Sequence, residues 1–489
     1  MRSLFHYLIG LACLLVLVAL LLVGGLHLAN ARDEPLTEAT LQALSYTPPT
    51  DAQLKGNGYL IIAGLDATTN GQSSAEVVAS AEQVGLQRLH KEIERKAWFD
   101  DQGTAPDHEK VPKMFEPPSP VAAKDIIPDT LQCKPETNKL RCYDWYVQHA
   151  RELQPFLNSQ APTFTRMAAA VAAPQFENFA PAYIWSFSPP YQHLMRAHEL
   201  QLAGASLLWS RGQYAQALYA VEQGSALTQR VATGSRELIG SMIAVNMRYR
   251  TLRWLNDVVT TSSPSRAWTP TIQARIQALA QIPLPSIRPG LEAERDYSNN
   301  TFKVVARGEA ERKTFSHLPS DSQQLPAWFI NWLGRISYLP GATLNQNVEW
   351  WEINLPLADA PADQLDAAVL KASALSEKLR SSRVRWMGLR NYTGQILIDI
   401  ARPTYQGYMQ RSHDIEGYRR MLLLQLKARQ ERVKPAQMPA WLAASPSALR
   451  NPYTLQPMQW DAASNSLVFE GREHQQQNPN RSKTYRLTL

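Results

Sequence analysis

The first part of the chain is an apolar stretch without charge. Between Arg2 and Arg32 the sequence has no Asp, Glu, Lys or Arg, and residues 8–28 form a run of 21 mostly aliphatic residues. A helix rises about 1.5 Å per residue, so this run is about 31 Å long and matches the hydrocarbon thickness of a bilayer. The pattern predicts a transmembrane helix at 8–28, preceded by a short cytoplasmic segment at 1–7.

A cleavable signal peptide is the alternative interpretation of this run. Ala29 and Ala31 place small residues where a signal peptidase would cut, but a cleaved apolar region is normally about 7–15 residues long. The length therefore favours an uncleaved anchor. Arg2 precedes the run, whereas the charges that follow it nearly cancel, so the positive-inside rule puts the amino terminus inside. We expect a single-pass protein of the bacterial inner membrane with its body in the periplasm. The lipid of the inner membrane is an expected partner, bound through the N-terminal helix.

The remaining chain divides by composition into a linker and two helical parts. Residues 29–57 are polar and contain two adjacent prolines, which predicts a spacer between membrane and body. Apolar residues then recur at helical spacing, which predicts an N-terminal helical domain at 58–285 and a C-terminal helical domain at 286–489.

One stretch of the first domain has the pattern of a helical hairpin. Residues 198–227 contain two apolar helical faces separated by a turn at 211–213, and Ala205, Ala217 and Gly224 would allow the helices to approach closely. The arrangement is typical of one tetratricopeptide-like unit. No second copy follows at a 34-residue period, so an ordinary hairpin is the alternative.

The end of the chain changes to the alternating pattern of strands. Residues 457–471 contain two short strand-like pieces around a polar turn, and residues 485–489 would add a third strand. Just before them, a helix is expected at 414–434 with Asp414 as its N-cap. The predicted fold class is mainly α, with an N-terminal transmembrane helix, a hairpin-rich helical body and a small C-terminal β-hairpin.

Cysteine usage agrees with an oxidising compartment. Cys133 and Cys142 bracket a short polar loop, and the remaining cysteine, Cys13, lies in the apolar run. Such a pair predicts a local disulfide, with two free thiols as the alternative. A zinc site would need two further ligands, and none has suitable spacing.

The formal net charge of +7 is concentrated at the end of the chain. Residues 405–489 contain 12 Lys and Arg against 6 Asp and Glu, a balance of +6. A basic end suits anionic lipid, polyanionic glycan or an acidic partner, and a solvated helix face is the alternative. Since no nucleic-acid-binding motif is present, no nucleic-acid partner is expected.

Several segments together resemble a family of proteobacterial proteins of unknown activity that carry a single membrane anchor. The matching segments lie in order along the chain: NGYLIIAGLDA (57–67), SRELIGSMIAVNMRYR (235–250), YLPGATLNQ (338–346), the stretch 391–429, and NPYTLQPMQWDAASNSLVFEG (451–471). The resemblance implies anchoring and a shared architecture. It assigns no functional residue. The family pattern has Gly after the NPYT turn where this chain has Leu455, so a different turn geometry is expected.

Searches for catalytic motifs are negative for nucleophile elbows, HExxH zinc sites, phosphate-binding loops and dinucleotide fingerprints. No catalytic residue, metal or cofactor is therefore assigned. Two clusters are candidate binding sites. Glu292, Glu294 and Arg295 crowd together, which suits acid–base chemistry or, alternatively, an exposed charged helix.

The second cluster is rich in tryptophan. It suits stacking on a sugar or peptide, contact with the bilayer interface, or core packing. Its tryptophans are Trp328, Trp332, Trp350 and Trp351.

The predicted function is that of a non-enzymatic envelope protein that binds a protein partner or organises a complex. The alternatives are a periplasmic hydrolase acting on glycan or peptide, and a binder of small molecules or lipid.

Overall fold

The computed structural model describes most of the chain. The described residues are 2–68, 73–101, 126–134, 140–183, 186, 188–261, 269–305, 336–384, 390–401, 405–473 and 483–489. They are mainly helical and end in a small antiparallel sheet, as the sequence predicts.

The helices up to the end of the predicted first domain are, in chain order, α1 (Arg2–Ala29), α2 (Glu38–Leu44), α3 (Asp51–Leu54), α4 (Gly58–Ala63), α5 (Ser74–Asp101), α6 (Cys142–Gln148), α7 (Ala150–Ser159), α8 (Ala161–Ala172), α9 (Tyr191–Ser210), α10 (Tyr214–Gly234), α11 (Leu238–Thr261) and α12 (Pro270–Gln281). Among the described residues, no helix combines the length and the apolar character needed to cross a membrane.

The second half contains α13 (Arg288–Val305), α14 (Pro340–Asn354), α15 (Leu365–Val384), α16 (Tyr392–Ala401), α17 (Gln406–Gln430) and α18 (Met438–Ala443). Short 3₁₀ turns lie at Leu355–Asp359, Pro435–Gln437 and Ser447–Leu449. The sheet consists of β1 (Gln459–Asp461), β2 (Ser466–Glu470) and β3 (Thr484–Thr488), in the order β1-β2-β3 and antiparallel throughout.

The predicted helical hairpin is confirmed. α9 ends at Ser210 and α10 begins at Tyr214, and Gly212 takes a φ of +78° at the turn, a conformation that glycine adopts without steric cost. Gly224 lies against α9, since a Cβ there would approach the Gln201 side chain to 2.8 Å. The small residues thus allow the two helices to pack closely.

The predicted C-terminal hairpin and third strand are also confirmed. Leu467 of β2 pairs with Trp460 of β1 on one side and with Leu487 of β3 on the other. Leu467 and Leu487 are fully buried. The sheet therefore covers one side of the helical body with its apolar face, the usual arrangement for an antiparallel sheet.

The predicted N-cap role of Asp414 is wrong. α17 begins at Gln406, so Asp414 lies about two turns inside the helix and is fully buried. Its carboxylate accepts hydrogen bonds from the backbone N–H groups of Arg472 (2.8 Å) and Glu473 (3.0 Å) and from the Tyr453 hydroxyl (2.5 Å). Two backbone N–H groups and one hydroxyl from later segments satisfy this carboxylate, whereas an N-cap would have bound the first N–H groups of its own helix.

The stretch 29–57, predicted as a spacer, contains α2 and α3. Thr37 caps α2, and the backbone N–H of Thr37 donates to the Asn345 side chain of α14 at 3.0 Å. Thr40 of α2 is fully buried and donates to the same Asn345 oxygen at 2.8 Å. This stretch is therefore packed against the second half of the chain.

The largest hydrophobic core crosses the predicted domain boundary at residue 285. It joins Leu252 and Leu255 of α11 to Met421 and Leu422 of α17 and to the sheet. A second core lies between α4, α8, α9 and α10 and includes the fully buried Leu194 and Leu227, among others. At the edge of these cores, α9 and α11 also line a cleft.

Candidate functional site

A basic cleft lies between the helical body and the sheet. It has a volume of about 440 Å³, within the range of ligand-binding pockets. α6, α9, α11, the disulfide loop, α17 and β3 contribute its walls. The charged and aromatic side chains that line it are Lys134, Tyr146, Glu199, Tyr249, Arg250, Arg253, Trp254, Arg411, Glu473, Lys483 and Tyr485.

α11 supplies one complete wall of the basic cleft. Asn246, Tyr249, Arg250 and Arg253 are spaced so that they share one face of the helix, because residues three and four apart are neighbours. Leu255 of the same helix is fully buried in the core. The helix therefore holds its polar side chains on a rigid support, which fixes their positions in the cleft.

Both carboxylates of the cleft are bound by arginines. Arg250 Nη1 lies 2.5 Å from Glu199 Oε2, and Arg411 forms an ion pair with Glu473. Glu199 also accepts hydrogen bonds from the Tyr146 hydroxyl at 3.0 Å and from the Cys133 backbone N–H at 3.1 Å. These carboxylates hold the walls together, so they are not free to attract a cation.

Two cations of the cleft form no ion pair among the described residues, although the buried Asp257 carboxylate interacts electrostatically with one of them, Arg253. Arg253 forms no ion pair there, and its guanidinium lies over the Tyr249 ring at 5.6 Å from the centroid. Lys483 Nζ lies 5.4 Å from the Tyr249 centroid and 5.2 Å from that of Tyr485. Cation–π contact holds both groups in place and leaves their charge available to an anion.

The aromatic wall of the cleft is itself packed into the core. Tyr249 makes edge contacts with Tyr418 at 5.4 Å and with Tyr485 at 6.1 Å between ring centroids. Burial raises the pKa of Tyr418 and of Tyr485 above the ordinary range, so both hydroxyls are protonated at neutral pH. Of these two, Tyr485 lines the cleft, and it therefore presents an uncharged ring to a ligand.

The predicted disulfide between Cys133 and Cys142 is confirmed, and it lies on the rim of this cleft. The Cα atoms are 5.4 Å apart, the ordinary separation for a bridge. Arg253 Nη2 lies 3.2 Å from Cys142 Sγ. The bridge thus fixes the loop that carries Lys134 next to the arginines of α11.

The tryptophan candidates fall into two groups. Trp328 and Trp332 lie outside the described residues. Trp350 and Trp351 contact each other at 5.1 Å on α14 and line a separate aromatic pocket of about 310 Å³ with Tyr405. Trp351 is 2% exposed and donates to the Ser298 hydroxyl at 3.0 Å, so its indole is held by the core.

The charged candidates Glu292, Glu294 and Arg295 lie on α13, outside both of these pockets. Glu292 pairs with Arg288 at 2.9 Å, and Arg295 pairs with Asp296 at 2.8 Å. Glu292 and Arg295, but not Glu294, line a separate polar cavity of about 670 Å³. Burial raises the pKa of Glu294. The structure therefore does not bring these charged candidates into one pocket with Trp350 and Trp351.

The lining of the basic cleft was not identified from the sequence. The sequence pattern that points to this site is weak. Tyr249, Arg250 and Arg253 stand among apolar residues on α11. Arg411 and Lys483 belong to the basic end of the chain. These segments are far apart in sequence, and only their packing in space makes them a site.

No cluster of three or more His, Cys, Asp or Glu suited to a metal ion occurs among the described residues. His198, beside the cleft residue Glu199, is fully buried between α9 and α11. Burial lowers its pKa to about 4, so this imidazole is neutral at physiological pH. It hydrogen-bonds within the core and does not face the cleft.

Comparison of the chain with protein-family models, curated proteins and solved structures finds no match. What the basic cleft binds has to be inferred from its side chains, charges and volume.

Proposed function

We propose that this chain is a membrane-anchored protein of the bacterial cell envelope that binds an acidic segment of a partner protein in its basic cleft. One observation carries the proposal. Arg253 and Lys483 are held over tyrosine rings in a cleft of about 440 Å³, and neither forms an ion pair among the described residues.

The charge balance of the cleft favours an anion. Its lining has five basic and two acidic side chains, a net charge of +3. Both acidic side chains are already bound by arginine, and Arg253 and Lys483 form no ion pair among the described residues, so the charges of these two side chains are directed at the ligand. The Arg253 guanidinium matches a carboxylate in shape, since its parallel N–H groups can donate to both oxygens at once.

The aromatic content of the cleft favours a protein partner. Tyr, Trp and Arg are the residue types that contribute most of the binding energy at protein interfaces, where rigid rings give contact area at a low cost in conformational entropy. Tyr249 and Tyr485 offer such rings next to the cations. An acidic segment with an apolar or aromatic side chain would satisfy both features.

The anchor is supported by the composition of α1. This helix contains the whole uncharged run at 8–28, whose length suits the hydrocarbon core of a bilayer. The disulfide is a second support, because oxidising compartments such as the periplasm maintain such bridges. We therefore propose that the chain is a single-pass protein whose cleft lies on the periplasmic side of the inner membrane.

Site-specific photo-crosslinking in cells tests the proposed interaction. A benzophenone amino acid at Asn246, an exposed cleft position, is expected to capture one reproducible protein, and mass spectrometry should map the crosslink to an acidic segment. The same probe at Tyr219 of α10, which is 60% exposed and outside the cleft, is the matched control. Equal products from both positions, or none from Asn246, would contradict the proposal.

Charge-neutralising variants add specificity to this experiment. Arg253→Gln and Lys483→Gln should each reduce the Asn246 crosslink, and raised salt should reduce it further because screening weakens the attraction. Arg486→Gln is the control, since Arg486 lies on β3 outside the cleft and pairs with Asp461 at 2.7 Å. A partner that binds all three variants alike would rule out recognition by the cleft charges.

A second candidate function is the binding of a small ligand in the aromatic pocket. The specific observation is that Trp350, Trp351 and Tyr405 line a pocket of about 310 Å³. Flat rings of this kind stack on sugar rings and on other apolar faces. Titration with soluble oligosaccharides should quench the tryptophan fluorescence of the parent protein but not of a Trp350→Leu variant. Equal quenching of both would reject this site.

The hydrolase suggested by the acidic cluster stays a prediction. Glu292 and Asp296 are each bound by an arginine of the same helix, which is also the pattern of a solvated charged helix.

A further inference from the structure

α16 has an exposed apolar stripe along its length. Tyr392, Ile396 and Ile400 are 53%, 42% and 76% exposed. Each is four residues from the next, so the three side chains lie on one face of the helix. Large aliphatic and aromatic residues aligned in this way are unusual on a free surface and mark a contact site.

The opposite face of α16 is fixed to the body. Ile398 is 1% exposed and packs with Leu344 and Phe302 in a small core. Gly394 lies directly on α14, where a Cβ would approach the Thr343 hydroxyl to 2.1 Å. The orientation of the helix is therefore set by the body, and the exposure of the α16 stripe follows from it.

The start of α16 is hydrogen-bonded to the end of α1. Arg390 Nη1 donates to the Ala29 carbonyl at 2.9 Å, and the Asn391 backbone N–H donates to the Asn30 side chain at 2.7 Å. Arg390 also pairs with Glu34 at 3.4 Å. Because Asn391 is fully buried, these contacts of Arg390 and Asn391 with the end of α1 hold the two helices together. We call this set of contacts the joint.

A further contact stiffens this joint. The Asp33 carboxylate accepts hydrogen bonds from the backbone N–H groups of Gly341 at 2.7 Å and of Ala342 at 3.0 Å, in the first turn of α14. A carboxylate at a helix N-terminus is stabilised by the unpaired N–H groups and by the helix dipole. The body is thus attached to α1 without a flexible linker.

We infer that the α16 stripe rests on the membrane, with Tyr392, Ile396 and Ile400 inserted at the boundary between headgroups and acyl chains. The inference rests on the proposed anchoring by α1. If α1 crosses the bilayer, the joint holds the first turn of α16 at the depth where α1 leaves it. An amphipathic helix at that depth buries its apolar face in the interface.

The residue types of the stripe fit this occupant. Tyr392 stands next to the joint, and tyrosine is enriched at the membrane interface because its ring is apolar and its hydroxyl is polar. Ile396 and Ile400 offer aliphatic area for the acyl chains. With α16 lying in the membrane interface in this way, the body would be held in one orientation relative to the membrane plane.

Fluorescence quenching in vesicles tests the inference. The full chain with Cys13→Ser receives one environment-sensitive probe on Ile400→Cys, and it is reconstituted into vesicles of phosphatidylcholine and phosphatidylglycerol that contain spin-labelled lipid. We expect the emission of the probe to shift to the blue and to be quenched by the spin-labelled lipid. The matched control is Ile239→Cys, an isoleucine of α11 with 51% exposure, whose probe should keep the emission it has in water.

A third probe separates failure of this inference from failure of the anchor. Leu17→Cys places the probe in the middle of the apolar run of α1. Quenching at Leu17 without quenching at Ile400 would overturn the resting helix and keep the anchor. No quenching at either position would overturn both. A blue shift at Ile400 without quenching would mean that protein covers the stripe, which also overturns the inference.

Discussion

Arg250 and Glu199 form an ion pair of 2.5 Å between α11 and α9 in the wall of the basic cleft. The Glu199 side chain is 5% exposed, and it also accepts hydrogen bonds from α6 and from the disulfide loop. One buried carboxylate therefore joins three elements that line the cleft. Because it is buried, this carboxylate depends on these protein partners to replace the water that solvates it in the unfolded chain.

Replacing this carboxylate should be costly. Glu199→Gln keeps the shape and one acceptor oxygen but leaves the Arg250 guanidinium without its anion. Because Arg250 is partly exposed, we expect the free energy of unfolding to fall by about 2 kcal/mol, less than for a fully buried pair. Urea unfolding in detergent, followed by tryptophan fluorescence, measures the loss. The exposed Glu152→Gln is the control, and equal midpoints for the two variants would contradict the structural role of Glu199.

The disulfide should contribute to the stability of the same region. It closes a short loop with a sequence separation of 9, and in the chain-entropy description a loop of about ten residues contributes about 2–3 kcal/mol. The double variant Cys133→Ser, Cys142→Ser is therefore expected to unfold at lower urea than the oxidised parent. Reductant should lower the parent midpoint to a similar value and leave the variant unchanged. A parent that does not respond to reductant would argue against this contribution.

Glu237 should give the protein a pH-dependent stability. Burial raises its pKa from 4.5 to about 7, and its carboxyl accepts from the Asn178 side chain at 2.9 Å. The folded protein keeps this proton at pH values at which the unfolded chain has released it. The free energy of unfolding should therefore fall by about 3 kcal/mol as the pH rises from about 4.5 to about 7.

The variant Glu237→Gln tests this dependence, because its amide cannot ionise. In urea unfolding, the free energy of unfolding of the parent should decline between pH 5 and pH 7. The variant should lose most of this decline. Asp257→Asn is a useful comparison, since burial raises the pKa of Asp257 to about 6 and its decline should end at lower pH. A Glu237→Gln profile parallel to that of the parent would reject the buried acid as the cause.

Leu455 should be an unfavourable residue at its position. Its φ is +56°, in the left-handed region where a side chain is strained, and 44% of the residue is exposed. A φ in this region is one that glycine adopts without steric cost. Leu455→Gly should stabilise the protein by about 0.5–1 kcal/mol, because the strain relieved exceeds the entropy lost. Thr454→Gly, whose φ is not positive, should instead destabilise it.

Much of the secondary structure was predictable because its signals are local. The hairpin of α9 and α10 follows from helical periodicity interrupted at Gly212, and the terminal sheet follows from alternation around a polar turn. The disulfide follows from two cysteines close in sequence. The N-cap assignment of Asp414 failed because helix-forming residues continue upstream, and the polar groups that satisfy its carboxylate lie 58 and 59 residues away.

The sequence by itself determined the mainly helical character of the chain, the terminal strands, which cysteines pair, and where an uncharged run of membrane length lies. Each depends on residues within a few positions of one another. Only the tertiary structure decided which polar groups meet and which apolar faces stay uncovered. Glu199 and Arg250 are 51 residues apart, and Arg411 and Glu473 are 62 apart. The α16 stripe is exposed because α14 covers the other face of the helix. This arrangement depends on long-range packing, which helical periodicity does not predict.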